Sequence, residues 1–252
     1  VETPDNLGLS GAAPGHPELL EWLAHDFVAS GWSLKHLHRG ILASLALQQS
    51  SSPRPEGLAI DPANRGLWRY PAHRLDAEAI RDLMIAVGGN LHPKSSGPYV
   101  PAPRQGDGEV RIDEGVPEAL ARSLFLQRRR TQVPTLMANF DAPSVVFNCT
   151  RRARTTMPLQ TLSLLNSDFA LRRAGDLARR LERDCGSSTS ARIRRGFLLA
   201  CGREPDAAEL ATSERFVRHQ ETLYAGQADA AARSWTEFAQ SLFLLNDCLY
   251  VR

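Results

Sequence analysis

Six helix-length segments follow one another from residue 133 to the end of the chain, and this succession limits the fold more than any other feature. They are predicted over residues 134–140, 158–166, 168–184, 190–202, 206–224 and 230–246. The last segment places Trp235, Phe238, Leu242 and Leu245 at the three- and four-residue spacing of one helix face. Consecutive amphipathic helices bury their apolar faces against each other. The sequence therefore predicts a mainly α fold, a compact multi-helix domain.

The N-terminal part predicts a helical hairpin. Pro17 suits the first position of a helix, and Gly31 is a natural stop. Ser33 then caps a second helix. Its apolar residues recur at helical spacing and are expected to form a buried stripe: Leu34, Leu37, Ile41, Leu42 and Leu45.

The middle of the chain combines one strong helix with an irregular insertion. The helix is predicted over residues 76–87 and ends at Gly88-Gly89. Residues 97–127 change in character, because Pro, Gly and short β-prone runs predominate there. Short segments of this insertion are predicted to pair as a small β structure: Tyr99-Val100, Val110–Ile112 and Ser123–Gln127.

Length and charge restrict the domain count and the class of partner. We expect residues 1–252 to form a single domain, with a soft boundary near residues 186–189. The formal net charge of +2 does not indicate a nucleic-acid partner. No apolar run approaches the ~18 residues of a membrane span.

Four widely spaced cysteines leave the redox state open: Cys149, Cys185, Cys201 and Cys248. They form no C-x-x-C pair, which argues against a zinc site, and no C-x-x-C-H motif that would attach haem. Two disulfides with three possible pairings and four free thiols are both compatible with this pattern. His36 and His38 are two residues apart on a predicted helix and diverge, so they predict no shared metal.

The best candidate for a binding site lies where a helix begins at Pro158. Backbone N–H groups at a helix start bind anions, and nearby guanidinium groups strengthen such a site. The candidate ligand-binding residues are Arg151, Arg152, Thr155, Thr156 and Gln160. The alternative is structural: the threonines cap the helix, and Arg151 or Arg152 pairs with Asp141.

Two carboxylates four residues apart are the weak catalytic candidates. Glu78 and Asp82 lie on one face of the predicted helix, and paired carboxylates perform acid–base work in glycoside hydrolysis. The alternative is a ladder of ion pairs along the helix, with Arg74 and Arg81 as partners of Glu78. The sequence contains no serine-nucleophile elbow, phosphate loop, H-E-x-x-H motif or dinucleotide fingerprint, so it favours a non-catalytic protein.

Short segments distributed in order along the chain resemble the domain of unknown function 1553 family. They are Val1–Gly8, His16–Leu23, Ser30–Arg39, Asp61–Asp82, Gly97-Pro98, Phe140–Pro143, Arg151–Gln160, Leu164–Asn166, Gly202–Pro205 and Leu245–Tyr250. The chain departs from the family at Leu47, where Tyr is frequent, and at Cys248, where Phe is common. The family's opening segment would precede Val1, so the resemblance implies an N-terminally truncated sequence with exposed apolar surface around Val1.

The resemblance implies a context more than a reaction. Such domains form the C-terminal part of exported planctomycete proteins, located in the periplasm or at the cell surface, with companion N-terminal domains and cytochrome-c-like modules. Haem would then belong to a neighbouring domain, and no cofactor is expected in this chain. We expect a non-catalytic module for assembly or for recognition of an anionic extracellular ligand such as a polysaccharide. The alternatives are a carbohydrate-active hydrolase and a docking domain for an adjacent electron-transfer module.

Overall fold

The computed structural model describes residues 2–6, 8–116, 118–146 and 149–251, and these residues form a mainly α structure. The described helices are α1 (Pro17–Ala29), α2 (Leu34–Leu42), α3 (Pro55–Ile60), α4 (Ala77–Gly88), α5 (Thr135–Asn139), α6 (Pro158–Asn166), α7 (Asp168–Cys185), α8 (Thr189–Cys201), α9 (Ala207–Leu223), α10 (Ala230–Phe243) and α11 (Asn246–Leu249). Two short strands, β1 (His73–Arg74) and β2 (Tyr250–Val251), pair as a two-stranded sheet. The predicted fold class is confirmed.

Helix starts in the C-terminal half follow local signals. Pro158 occupies the first turn of α6, as predicted. The Ser167 hydroxyl accepts a hydrogen bond from the Ala170 N–H and caps α7. The Ser188 hydroxyl caps α8 in the same way through the Ala191 N–H. Because these caps involve residues three positions apart, the sequence alone places the helix starts to within about one residue.

The irregular insertion pairs through single bridges. Val100 and Leu126 form a parallel bridge, and Arg104 and Val110 form an antiparallel one. Residues Ser123–Phe125, predicted to be extended, form a short 3₁₀ helix instead. Pro117 of this insertion lies outside the described residues.

The chain separates into two compact units, and the first comprises residues 1–73 with 251–252. Its helices α1 and α2 contact each other, and none of the residues in α1, α2 or α3 is buried. The predicted buried stripe of α2 is therefore wrong: Leu34, Ile41, Leu42 and Leu45 are exposed. Three short helices provide too little surface to cover the apolar faces of α1 and α2. Val1 and Leu7 lie outside the described residues, so the exposed surface expected around Val1 stays a prediction.

The second unit, residues 74–250, contains the hydrophobic core. Helix α7 is central and packs against α4, α6, α8 and α10. Its residues Leu177 and Leu181 are fully buried, as is Phe243 of α10. Residues 186–189 join α7 to α8 inside this unit, and the expected single domain with a soft boundary there stays a prediction.

The four thiols are free in the structure and differ in exposure. Cys149 is exposed, whereas Cys248 is buried. Burial raises the pKa of Cys201 to about 11 and that of Cys248 to about 12. Both groups are therefore protonated at neutral pH and are weak nucleophiles.

Candidate functional site

The segment preceding α6 is anchored by Asp141, which lies in the left-handed region with φ of 62°. The Thr155 N–H and hydroxyl donate to the Asp141 carboxylate over 2.7 and 2.8 Å. Arg74, which is buried, donates to the same carboxylate over 2.6 Å. The sequence alternative that paired Asp141 with Arg151 or Arg152 is therefore wrong, because Arg74 already occupies that carboxylate.

Arg152 is held by two carboxylates at the start of α4. Its guanidinium donates to Glu78 over 2.6 and 3.4 Å and lies 3.5 Å from Asp76. Arg128 donates to the second Glu78 oxygen over 3.1 Å. Burial alone would raise the pKa of Glu78, but the bonds and charges of Arg152 and Arg128 outweigh it and lower that pKa. The hydrogen bond that Arg152 donates to Glu78 in turn raises the pKa of Arg152.

Arg151 differs from its neighbour, because no hydrogen bond or ion pair of its side chain occurs among the described residues. Its side chain is exposed and lines an open cavity of about 570 Å³ together with Arg152, Ala153 and Arg154. Arg154 lies 3.5 Å from one oxygen of Asp76. Arg154 was not among the predicted ligand-binding residues, although residues 151–154 contain three arginines.

Thr156 and Gln160 have structural partners. The Gln160 side chain is buried, donates to the Thr155 carbonyl over 3.2 Å and accepts the Met157 N–H over 3.4 Å. The Thr156 hydroxyl lies 3.4 Å from that of Tyr250. Of the predicted ligand-binding residues, only Gln160 is buried, whereas Arg151, Arg152, Thr155 and Thr156 are exposed. Both threonines are bonded within the protein, and Arg151 is the one without such a bond among the described residues.

Asp82 is also engaged as a hydrogen-bond acceptor. One of its oxygens accepts both the N–H and the hydroxyl of Ser123, each over 2.7 Å. The neighbouring Arg81 lies 3.5 Å from the same oxygen. Glu78 and Asp82 therefore have separate partners, and the predicted ladder of Arg74, Glu78 and Arg81 along one helix is not the observed arrangement.

A largely apolar cavity of about 80 Å³, which the sequence did not reveal, lies in the second unit where α4, α5 and the start of α7 meet the loop of residues 109–120. Arg81 forms part of its wall. A wider open pocket of about 540 Å³ adjoins it, and the two linings share Arg111, Ile112, Glu114, Asp168 and Arg172. The contributing residues lie far apart in sequence, so no spacing rule would have grouped them.

The described part of the chain contains neither a metal-binding cluster nor a helix that could span a membrane. No group of three or more His, Cys, Asp or Glu side chains in residues 2–6, 8–116, 118–146 and 149–251 is placed to hold a metal ion. In the same part of the chain, every helix is too short or too polar to cross a bilayer.

Comparison with known proteins places the chain by its family. No curated protein and no solved structure matches it. The family model described as PSD1, protein of unknown function (DUF1553), matches residues 1–217. Because that match covers most of the sequence, the chain belongs to the PSD1 family of proteins of unknown function (DUF1553).

Proposed function

We propose that this chain is a non-catalytic module of an exported multidomain bacterial protein and that it recognises an anionic extracellular ligand such as an acidic polysaccharide. The observation that supports the proposal most directly is the open cavity lined by residues 151–154. Three of those four residues are arginines, and Arg151 has no acidic partner among the described residues. Planar guanidinium groups bind carboxylate and sulfate oxygens through paired N–H donors.

The local charge balance favours an anion. Asp76 and Glu78 pair with three arginines, Arg128, Arg152 and Arg154, and Arg151, unpaired among the described residues, lines the cavity beside two of them. The surplus is positive, and Arg151 and Arg154 retain unused N–H donors. Arg152 is oriented by Glu78, so we assign the main ligand contacts to Arg151 and Arg154.

We expect the double substitution Arg151→Ala and Arg154→Ala to weaken binding of a sulfated uronic-acid oligosaccharide by about tenfold, because each exposed charge-assisted contact contributes a fraction of the ~1.4 kcal/mol that tenfold represents. Isothermal titration at low and moderate salt measures the dissociation constant, and binding weakens with salt.

Arg183→Ala provides the matched control, because Arg183 is an exposed arginine of α7 that does not line this cavity. It removes one positive charge and leaves residues 151–154 intact. Because the double variant removes two charges, a control that loses half or more of the double variant's loss in binding free energy would mean that only net charge matters. That result, or the absence of saturable binding to the unaltered chain, contradicts the proposal.

The geometry gives less support to a hydrolase based on Glu78 and Asp82. A general acid needs a carboxyl group whose pKa is raised toward the working pH. The pKa of Glu78 is lowered, mainly because bonds from Arg152 offset its burial. Asp82 is committed to the Ser123 N–H and hydroxyl. Neither carboxylate is arranged as a proton donor.

An assembly role is the second candidate, favoured by the exposed apolar side chains of the first unit. Trp22 of α1, Leu42 of α2 and Ile60 of α3 are 61%, 65% and 86% exposed. Contiguous apolar exposure is a property of surfaces that pack against a partner, and α1 and α2, which contact each other, both expose large apolar side chains. The partner in this proposal is a companion N-terminal domain of the same polypeptide, and a cytochrome-c-like module is one such domain.

If the first unit packs against a companion domain, amide hydrogen exchange in α1 and α2 should be slower in the natural multidomain protein than in the isolated chain. Burial of an apolar face suppresses the local opening that permits exchange. Exchange followed by mass spectrometry compares the two proteins, with α7 as the internal control. Equal exchange in α1 and α2 in both proteins argues against the assembly role.

A further inference from the structure

The cavity where α4, α5 and α7 meet is large enough to hold an organic group. Its volume of about 80 Å³ corresponds to roughly five water-sized spheres. Most of its exposed wall area is apolar, with side chains that include Val110, Ile112, Leu136, Met137 and Phe169. Polar side chains also line it, among them Thr135, Asn139, Ser163 and Ser167. The apolar part of the wall suits a single ring or a branched alkyl group.

The positive charge of Arg81 in the cavity wall is satisfied by the protein. Arg81 donates to the carbonyls of Ala121 and Ala119 over 2.9 and 2.8 Å, and its guanidinium stacks 5.5 Å from the ring centre of Phe169. Burial lowers the pKa of Arg81 to about 10, although the Asp82 charge opposes that shift. The group remains protonated at neutral pH; its terminal nitrogens are bonded to the protein, and its buried Nε has no hydrogen-bond partner among the described residues.

The open pocket beside the cavity has a surplus of carboxylates. Its lining contains two arginines and three acidic residues: Arg111, Arg172, Asp113, Glu114 and Asp168. Arg111 is paired with Glu109 over 3.1 Å, and Arg172 is paired with Glu114 over 3.2 Å. Arg172 also lies 3.9 Å from Asp168, so two lining carboxylates stay unpaired or only weakly paired among the described residues.

Those two carboxylates are Asp113 and Asp168. Asp113 accepts the Gly115 N–H and has no cationic partner among the described residues. Asp168 is 69% exposed, and its nearest cation, Arg172, lies 3.9 Å away. Asp168 occupies the first turn of α7. Both side chains are exposed and can be reached by a cation from solvent.

We propose that the cavity and the adjoining pocket form a binding site for a small organic amine, with its ammonium group at Asp113 and Asp168 and its compact apolar group in the cavity. Ile112 lines both spaces and stands where the apolar group passes from one to the other. This site is separate from the arginine segment at residues 151–154, for which we propose a ligand of the opposite charge.

The test uses three probes of similar size: 2-phenylethylamine, the neutral 2-phenylethanol and the anionic 3-phenylpropionate. Titration of the whole chain, followed by calorimetry or by NMR of the protein, gives the three dissociation constants. The amine should bind about tenfold more tightly than the acid, because a favourable ion pair near the surface replaces an unfavourable one. The alcohol should lie between them.

Two variants locate the site. Asp113→Asn combined with Asp168→Asn should weaken amine binding about fivefold and bring the amine close to the alcohol. Ile112→Trp should weaken the amine and the alcohol together, since the larger side chain fills the entrance. Thermal unfolding of each variant establishes that it folds. Glu182→Gln is the control, because Glu182 is also 69% exposed on α7 and does not line the site.

Several outcomes would overturn the assignment. They are an acid that binds as tightly as the amine, a double asparagine variant with unchanged amine affinity, and a folded Ile112→Trp variant that binds both ligands normally. Absence of saturable binding by all three probes would do the same. A loss with Glu182→Gln equal to that of the double variant would show a general charge effect and would equally reject the site.

Discussion

Replacing Arg81 with alanine should lower the free energy of unfolding by about 3–5 kcal/mol, the cost of removing one member of a buried ionic and hydrogen-bonded network. Arg81 is only 2% exposed and donates to the Ala119 and Ala121 carbonyls. The substitution leaves those acceptors unpaired in the interior and deprives Asp82 of a neighbouring charge. It also removes the guanidinium that stacks on Phe169. Urea denaturation followed by circular dichroism measures the change.

Arg122→Ala is the control, because it removes an exposed positive charge near Asp82, whereas Arg81→Ala removes a buried one. Arg122 lies 3.9 Å from the other oxygen of Asp82, but its side chain is 64% exposed. An exposed ion pair contributes about 0–1 kcal/mol, so this variant should remain close to the unaltered protein in stability. A loss below about 1 kcal/mol for Arg81→Ala, or equal losses for both variants, would show that the buried bonds of Arg81 contribute little.

The arginine network also explains why the cavity of the second unit keeps its shape. Two guanidinium groups lie near the Phe169 ring, that of Arg81 at 5.5 Å and that of Arg173 at 5.4 Å from its centre. Arg173 is itself buried and bonded to Glu114 over 3.0 Å. These contacts fix the position of Phe169 and of Glu114, which lines both the cavity and the open pocket. The unfolding experiment on Arg81 therefore also tests the framework of the proposed amine site.

Local signals in the sequence predicted the helices, because caps and helix starts depend on neighbours in the chain. Pro158 begins α6 and Asp168 begins α7, where helices over residues 158–166 and 168–184 were predicted. The same signals say nothing about what covers a helix. The apolar spacing of α2 predicted burial, yet Leu42 and Leu45 are exposed. Helical spacing identifies an apolar face, and only the tertiary structure decides whether another element packs on it.

Side-chain partners were the least predictable part of the candidate site. The helix rule paired Glu78 with Arg74, four residues away, whereas Glu78 is bonded to Arg152 and Arg74 to Asp141. These observed pairs are separated by 74 and 67 residues. For a given carboxylate, an arginine at the correct helical spacing competes with every other arginine that the fold brings near that carboxylate. The sequence could predict a basic segment at Arg151 and Arg152, but it could not show which arginine remained unpaired.

The Gly88-Gly89 pair shows how one sequence signal can hide two different physical roles. It was predicted to end α4, and Gly89 does so with a φ of 83°, in the left-handed region that favours glycine. Gly88 is still helical, and its role is a close approach to α7. A Cβ atom at Gly88 would lie 2.8 Å from the Cβ of Asp176. Asp176 is buried, and Arg173 holds it over 2.9 Å.

Gly88→Ala should therefore destabilise the protein by about 1–3 kcal/mol, because α4 and α7 must move apart to accept the added methyl group. Gly175→Ala on α7 is the matched substitution. A Cβ there meets its nearest neighbour, the Arg179 side chain, at an ordinary 3.5 Å. Alanine is the better helix former by up to about 1 kcal/mol, so Gly175→Ala should be neutral or stabilising. Urea denaturation of the two variants checks the opposite signs, and a stabilised Gly88→Ala protein would show that α4 and α7 are not closely packed at this point.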